Sequence, residues 1–301
     1  MKAGADTLRL TLDYQPPLAW DALLAFLGGR GAAGVEAVVD GRYLRTVRLA
    51  GSEGWLAVSA TAKRDQLAVE LSPTLESVAT PLTTKLRQLL DLDADPLAIA
   101  RVLGADPILK PVVAAVPGLR VPGGFDGFEL VLRAIVGQQV TVKAATTLFS
   151  RFAAAFGDAT TTPYAELKFF SPRAELIAAA ELQTLINLGL TQRRAQTIHS
   201  VAKAYVAGEL LLEPGCDQAA ELERFRSIPG IGHWTSNYVA MRALRDADAF
   251  PTGDLALCNA LGGVKPKEAD RAAEAWRPYR AYAALYLWRL LRMGTQTESG
   301  G

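Results

Sequence analysis

Cysteine is nearly missing from this chain: Cys216 and Cys258 stand far apart in 301 residues, and neither has a CxxC partner. Two such residues cannot by themselves build a disulfide framework, a four-ligand zinc site or an iron–sulfur cluster. A reducing compartment is expected, with both cysteines acting as small packed hydrophobes. Histidine is as scarce, and His199 and His233 do not read as a zinc pair, because His199 follows Arg193 and Arg194 on what looks like a solvated helix face. An excess of one charge is lacking too. Lys and Arg number 32 against 31 Asp and Glu, a formal net charge of +1. That argues against a broad basic surface for nucleic acid, since phosphate neutralisation supplies most non-specific affinity. No window approaches the roughly 18 consecutive apolar residues of a membrane span. The opening MKAGADTLRLTLDYQPP alternates apolar and polar residues instead of carrying a signal-peptide core, and no internal repeat or low-complexity tract is present. A soluble cytoplasmic protein of two or three modest domains is the expectation.

What is there divides into an α+β part and a helical part. Leu8, Leu10 and Leu12 alternate with polar residues as a strand does, and Trp20 to Leu27 predict a short apolar helix ended by Gly28-Gly29. Val35–Val39 and Tyr43–Leu49 flank Asp40-Gly41, a hairpin signal, and Trp55–Ser59 and Leu67–Leu71 complete an antiparallel sheet. From Pro73 the strand signals stop. Helices are predicted at Leu82–Leu90 and Leu97–Leu103, followed by a stiff, turn-rich linker from Val116 to Gly124. Asp126 caps a helix carrying Phe128, Val131, Leu132 and Ile135, which breaks at Gly137-Gln138-Gln139. Thr141 caps the next, with Val142, Ala145, Leu148, Phe149, Phe152 and Phe156 on its stripe. Further helices are expected near 173–187, 191–207, 217–227, 233–245, 255–261, 267–275 and 278–292, with a disordered GTQTESGG tail.

The segment Ser227-Ile228-Pro229-Gly230-Ile231-Gly232-His233-Trp234-Thr235 lies between two of these helices. Gly230 and Gly232 lack Cβ atoms, so the backbone can bend sharply and approach another molecule closely. The helix starting near His233 points unpaired N–H groups and its positive dipole end outward, an anion site that suits a phosphodiester. Gripping a backbone through amides needs little net positive charge. An isolated PGxG reads equally as a plain helix–helix turn.

With this hairpin, Phe250-Pro251-Thr252-Gly253-Asp254 places an Asp 22 positions after Gly232. Leu12-Asp13-Tyr14-Gln15-Pro16-Pro17, Leu119-Arg120-Val121-Pro122-Gly123 with Phe128-Glu129, Arg133-Ala134-Ile135-Val136-Gly137-Gln138, and Trp276-Arg277-Pro278-Tyr279 followed by Leu287-Trp288 stand in the same order as motifs of one family. On these residues the chain resembles the helix-hairpin-helix DNA glycosylase superfamily, in its 3-methyladenine DNA glycosylase II branch, over nearly its whole length. The resemblance implies an N-terminal antiparallel α+β domain (1–88) and an all-α region (89–301). That region's cleft would lie between subdomains of about 113–230 and 89–112 plus 231–292. It implies a monomer acting on double-stranded DNA with alkylated bases, in a bacterial cytoplasm, with no membrane and no required cofactor.

The same resemblance assigns roles. Asp254 stabilises positive charge developing on the sugar as the bond to an alkylated, cationic base breaks; read alone, it is equally an N-cap for Leu255–Leu261. Trp234 stands where strand-cleaving relatives carry a nucleophilic Lys, so the enzyme is expected to be a monofunctional hydrolase. Trp234, Tyr238 and Trp288 match an aromatic pocket for the flipped base, with Phe26 a fourth candidate that competes with an ordinary core place. Pro229, Gly230, Ile231, Gly232, His233 and Thr235 form the DNA-backbone grip. Gln139, with Gln138, takes the place of the wedge that fills the gap left by the extruded base, where a relative's wedge is apolar; a Gln capping the helix break is the plainer reading. Gly253 replaces a second Asp. A monovalent cation on the carbonyls of Arg226, Ile228 and Ile231 is also implied. The rivals are a catalytically silent damage-binding protein and a same-fold glycosylase for deaminated bases.

Overall fold

The structure, a computed structural model, describes residues 7–63 and 65–298. Strands β1 (Leu8–Asp13), β2 (Glu36–Val39), β3 (Arg42–Leu49), β4 (Ser52–Ala60) and β5 (Gln66–Leu71) form one antiparallel sheet in the order β1-β5-β4-β3-β2. Asp40-Gly41 turns β2 into β3 with φ of 48° and 72°, the paired left-handed residues a two-residue hairpin requires. Ala50-Gly51 does the same between β3 and β4, with φ of 47° and 82°. Alanine rarely takes that conformation, so the sequence carries a weaker signal there.

One face of the sheet packs Tyr43, Leu56, Val58, Leu67 and Val69 against Leu23, Leu24 and Leu27 of α1 (Trp20–Arg30) and Leu82, Leu86 and Leu89 of α2 (Ala79–Leu90). Each buried leucine contributes about 1.5–3 kcal/mol relative to exposure. Helix α1 does not stop at Gly28-Gly29 as expected but runs on to Arg30. A Cβ at Gly28 would sit 3.2 Å from Val38, so the glycine serves close helix–sheet packing, which outweighs its poor helix propensity. This extra turn delivers Arg30 to the cleft described below. The outer face is covered at Leu44 and Ala57 by Leu167, with Trp55 and Tyr164 beside them. The covering segment returns from the helical region through backbone bonds, Lys168 and Phe169 both donating to the Gly34 carbonyl at 2.7 and 2.9 Å. It has no periodic apolar pattern, and the sequence reading assigned it no element.

The helices continue as α3 (Pro96–Leu103), α4 (Lys110–Ala115), α5 (Gly127–Val136), α6 (Val142–Phe156), α7 (Ala174–Ala179), α8 (Leu182–Asn187), α9 (Gln192–Val206) and α10 (Gln218–Ser227). They end with α11 (His233–Arg242), α12 (Leu255–Ala260), α13 (Pro266–Ala273) and α14 (Arg280–Glu298). The expected helix over 173–187 is two, broken at an extended Ala180, so that Ile177 and Leu185 both bury while α7 and α8 each lie on α9. Residues 294–298 of the expected disordered tail prolong α14, and the rest of that tail lies outside the described residues.

Two apolar cores organise the helices. Phe128, Val131, Ile135, Phe149, Phe152, Ile198, Val201 and Phe225 make the first, and Ile99, Leu103, Val112, Met241, Trp276 and Tyr286 belong to the second. Helix α11 serves both, with Val239 in one and Ala240 and Met241 in the other. Where the sequence set a unit boundary at about 113, Val113, Leu119 and Val121 pack in the second core. The stretch 116–124 is no solvated linker either. Arg120 is buried and donates to the carbonyls of Ala94, Gln15 and Pro17, while Val121 N–H donates to Asp91 Oδ2 at 2.9 Å. Gly123 and Gly124 N–H groups pair with Leu89 and Arg242 carbonyls. A Pro/Gly-rich run reads as a linker until its backbone groups are seen to be paired inside the molecule.

Candidate active-site cleft

Between the two cores opens a cleft of about 1340 Å³, bounded by α1, the α5–α6 break, the start of α9, the α10–α11 hairpin, the start of α12 and α14. It exceeds the roughly 300–1000 Å³ of ordinary small-molecule pockets. The hairpin is closed by Ile231 N–H donating to the Ile228 carbonyl at 3.1 Å, and α11 begins with Ser236 N–H to the Gly232 carbonyl at 3.0 Å. The first N–H groups of α11 therefore face outward, and Gly232 has no side chain with which to cap them.

The two hairpin glycines have different causes. At Gly230, φ is 97° and a Cβ would fall 2.0 Å from Thr197 Oγ1, which itself donates to the Pro229 carbonyl at 2.9 Å. Gly230 is thus fixed by internal packing. A Cβ on Gly232 would meet nothing within 4 Å, and the residue is exposed. His233 is exposed beside it, Ile231 is buried in the first core, and Thr235 is buried with its hydroxyl accepting from Gln138 Nε2 at 3.0 Å. Gln138 also donates to the Gly230 carbonyl at 3.2 Å. It is a brace between the helix break and the hairpin, not a free side chain at the cleft mouth. Gln139 alone of the pair is exposed, on a left-handed backbone with φ of 54°.

Asp254 caps α12, its Oδ1 accepting from Leu257 N–H at 3.0 Å. The same carboxylate is held from two other helices, by Trp234 Nε1 on Oδ2 at 2.9 Å and Trp288 Nε1 on Oδ1 at 3.3 Å. The sequence reading gave both tryptophans stacking roles only; their indole N–H groups fix the acid as well. Trp234 already stacks on Tyr238, centroids 5.2 Å apart and planes 13° apart, and Trp288 lies 6.5 Å from Tyr238. Phe26 is buried in the second core and also lines the cleft. Gly253 takes a φ of 80°, and a Cβ there would meet nothing.

Arginines are what the sequence reading missed. Among the described residues, six of them line the cleft against three carboxylates. Arg242, buried on α11, donates to the Pro122 and Gly123 carbonyls and, at 2.5 Å, to the Tyr238 hydroxyl. Burial alone would push the Tyr238 phenol up, but Arg242, then Arg30 and Arg133, pull it below its ordinary value. The available signal was spacing: Arg30 follows Phe26, and Arg242 follows Tyr238, by four residues on one helix face. Leu255, next to Asp254, was also missed as a rim residue, and at 74% exposure it is a large apolar side chain on the cleft wall. Val142, expected on the buried stripe of α6, is 44% exposed on the same cleft. Away from it, His199 hydrogen-bonds the Ala178 carbonyl at 3.0 Å rather than lying on a solvated face, and both cysteines are free thiols.

Comparison with known proteins places this geometry. Residues 9–126 match the AlkA N-terminal domain family, and residues 132–279 match the HhH-GPD superfamily of base excision DNA repair proteins. The chain is 35% identical over 278 residues to DNA-3-methyladenine glycosylase 2 of Escherichia coli, covering 92% of this chain and 96% of that one. It is also 35% identical to a probable bifunctional transcriptional activator/DNA repair enzyme AlkA of Mycobacterium tuberculosis, covering 96% of this chain but spanning only 58% of that protein's length. The fold is similar to a 3-methyladenine DNA-glycosylase from Archaeoglobus fulgidus, with a TM-score of 0.81 at 23% identity over 94% of this chain and 98% of that one.

Proposed function

This chain belongs to the HhH-GPD superfamily of base excision DNA repair proteins, in the branch carrying an AlkA N-terminal domain, and from that premise we propose that it hydrolyses the glycosidic bond of alkylated bases in double-stranded DNA. The observation that carries the reading is the carboxylate of Asp254, pinned by three N–H donors from three helices in the wall of a deep cleft. Its Oδ2 receives one of those donors and Oδ1 two, so Oδ2 keeps the larger share of free lone pairs for a flipped nucleotide.

In this reading the hairpin holds the phosphate backbone through the N–H groups at the start of α11, and Gly232 lets that backbone approach. The target nucleotide swings into the cleft toward Trp234, Tyr238, Trp288 and Phe26. As the bond to the base weakens, positive charge grows on the sugar, and Asp254 stabilises it electrostatically and orients the attacking water. Trp234 is no nucleophile, so no Schiff base forms at that position and the DNA strand is left intact at an abasic site. Gln139 occupies the vacated space in the duplex, and exposed Leu255 and Val142 supply the apolar contact it lacks. A monovalent cation would rest on the carbonyls of Arg226, Ile228 and Ile231. These are neutral oxygen ligands, of which that of Ile228 already accepts one N–H; such an ion would add positive charge beneath the phosphate, and no step above depends on it. The protein acts as a monomer.

Methylated duplex DNA incubated with the protein tests this. Release of 3-methyladenine and 7-methylguanine is expected. Tight binding without release would make the chain a damage-binding protein instead.

A further inference from the structure

Two successive carbonyls of the hairpin are taken by side chains from outside it. Thr197 of α9 donates to the Pro229 carbonyl at 2.9 Å, and Gln138 from the α5–α6 break donates to the Gly230 carbonyl at 3.2 Å. The same Gln138 nitrogen donates to the Thr235 hydroxyl, in the first turn of α11, at 3.0 Å. A carbonyl only accepts, so the amide nitrogen is fixed on that side and both its hydrogens are spent. Gln138 thus spans the hairpin and the helix that follows it, from a turn that belongs to neither.

The next residue is the exposed Gln139, at a φ of 54°, a left-handed backbone that a residue with a Cβ seldom takes unless its surroundings impose it. Both sides of its turn are tied. Before it, Gly137 and Gln138 N–H groups donate to the Arg133 and Ile135 carbonyls at 2.9 and 3.2 Å. After it, the Thr141 hydroxyl caps α6 by accepting from Ala144 N–H at 3.2 Å. Those bonds fix the turn to its own two helices. Among the hydrogen bonds of the described residues, those of the Gln138 side chain alone join it to the hairpin. A side chain that enters a duplex must stand at a set distance from the phosphates that hold the strand, because bases recur about every 3.4 Å along it. We infer that Gln138 is a positioning residue, which fixes the Gln139 turn against the phosphate-gripping hairpin so that backbone grip and filling of the vacated gap share one register. The inference rests on the base-excision reading, with the place given there to Gln139, and deepens it. Gln138 itself need touch neither base nor phosphate.

Flipping a base out of a pair costs stacking and pairing energy that an unpaired base is largely spared. Single-turnover excision is therefore measured on 7-methylguanine opposite cytosine and on the same lesion in a one-nucleotide bulge. The proteins are wild type, Gln138→Met, Gln138→Ala, Gln139→Ala, and Gln138→Met combined with Gln139→Ala. Methionine keeps the length of the side chain without its donors, and thermal melting verifies folding. Gln138→Met and Gln138→Ala are expected to slow excision of the paired lesion about tenfold and of the bulged one by no more than about threefold. The double variant should lose little beyond the larger single loss, because Gln138 then has nothing left to position. Equal losses in the two contexts, no loss in folded Gln138 variants, losses that multiply in the double variant, or a Gln139→Ala protein as fast as wild type on the paired lesion would each overturn the role of Gln138 and leave the glycosylase reading standing. If wild type releases 7-methylguanine from neither duplex, nor any base from methylated DNA, the glycosylase reading itself fails and this inference with it.

Discussion

At Asp254 one carboxylate serves two purposes, closing the first turn of α12 and facing the cleft. Asparagine keeps a cap acceptor but loses the charge and, because both oxygens accept N–H donors, one indole hydrogen bond; Asp254→Asn should cost about 1–3 kcal/mol of stability yet fold, while base release falls by about 10²-fold or more. Alanine at the same place should cost a further ~1 kcal/mol of stability, measured by denaturant unfolding. The hairpin glycines give a second residue-level contrast. Gly230→Ala drives a methyl onto Thr197 at a positive φ and should destabilise the fold by about 2–4 kcal/mol. Gly232→Ala has open space and should change stability by no more than about 1 kcal/mol. If the proposed backbone grip holds, the added methyl stands in the path of the phosphate, and DNA binding should weaken about tenfold in a fluorescence titration. Both glycines were legible as a turn, but their different reasons were not, because Thr197 lies on another helix 33 residues upstream of Gly230. The acid and its tryptophans could likewise be picked out by position, whereas the indole–carboxylate bonds depend on how α11, α12 and α14 meet.

Among the elements, those with both a cap and a periodic stripe were read well. Asp126 accepts from Glu129 N–H at 2.7 Å and Thr141 from Ala144 N–H at 3.2 Å, as their positions suggested. Elements shaped by contact with others were misjudged: α1 outruns its glycines, 173–187 breaks in two, and the turn-rich 116–124 stretch is buried. Capping by Asp126 carries a pH signature. Burial raises its carboxyl from 3.8 to about 6, the Glu129 amide opposing. Between those values the folded state holds more protons than the unfolded one, so this group's contribution to stability falls as pH rises through that window. Asp126→Asn should keep the cap and flatten that part of the stability–pH curve in urea titrations. Glu129, on the same helix, behaves oppositely. Burial pushes it up, but Arg45, Arg133 and the Ser171 hydroxyl bring it from 4.5 down to about 2. Its contribution is present above pH 4.5 and is lost as pH falls toward 2. Because Glu129 joins α5 to Arg45 of β3 at 2.7 Å, Glu129→Ala should leave a buried guanidinium short of a partner and cost about 3–5 kcal/mol.

For the whole molecule, the net charge of +1 first spoke against a nucleic-acid protein, and the structure resolves that tension by location. Among the described residues six arginines against three carboxylates line one cleft, although the whole chain carries a net charge of only +1. Binding to undamaged duplex should therefore be local and of modest salt dependence, weakening roughly 10- to 100-fold between about 50 and 200 mM salt, as expected for a few phosphate contacts. The α+β then all-helical order of the chain was readable from where strand periodicity ends. A cleft was expected only through the family resemblance, since its walls come from α1, α5, α9, α11, α12 and α14 together and no local pattern encodes their convergence. The central claim is that Asp254 in this cleft removes damaged bases without cutting the strand. Its most direct test is single-turnover reaction of wild type and Asp254→Asn with methylated duplex DNA, assaying free bases and strand integrity before and after alkali. Wild type should release methylated purines and leave strands that break only with alkali, and the Asn variant should release them about 10²-fold more slowly or worse. Equal rates in the two proteins, or no release by a wild type that binds the DNA tightly, would contradict it.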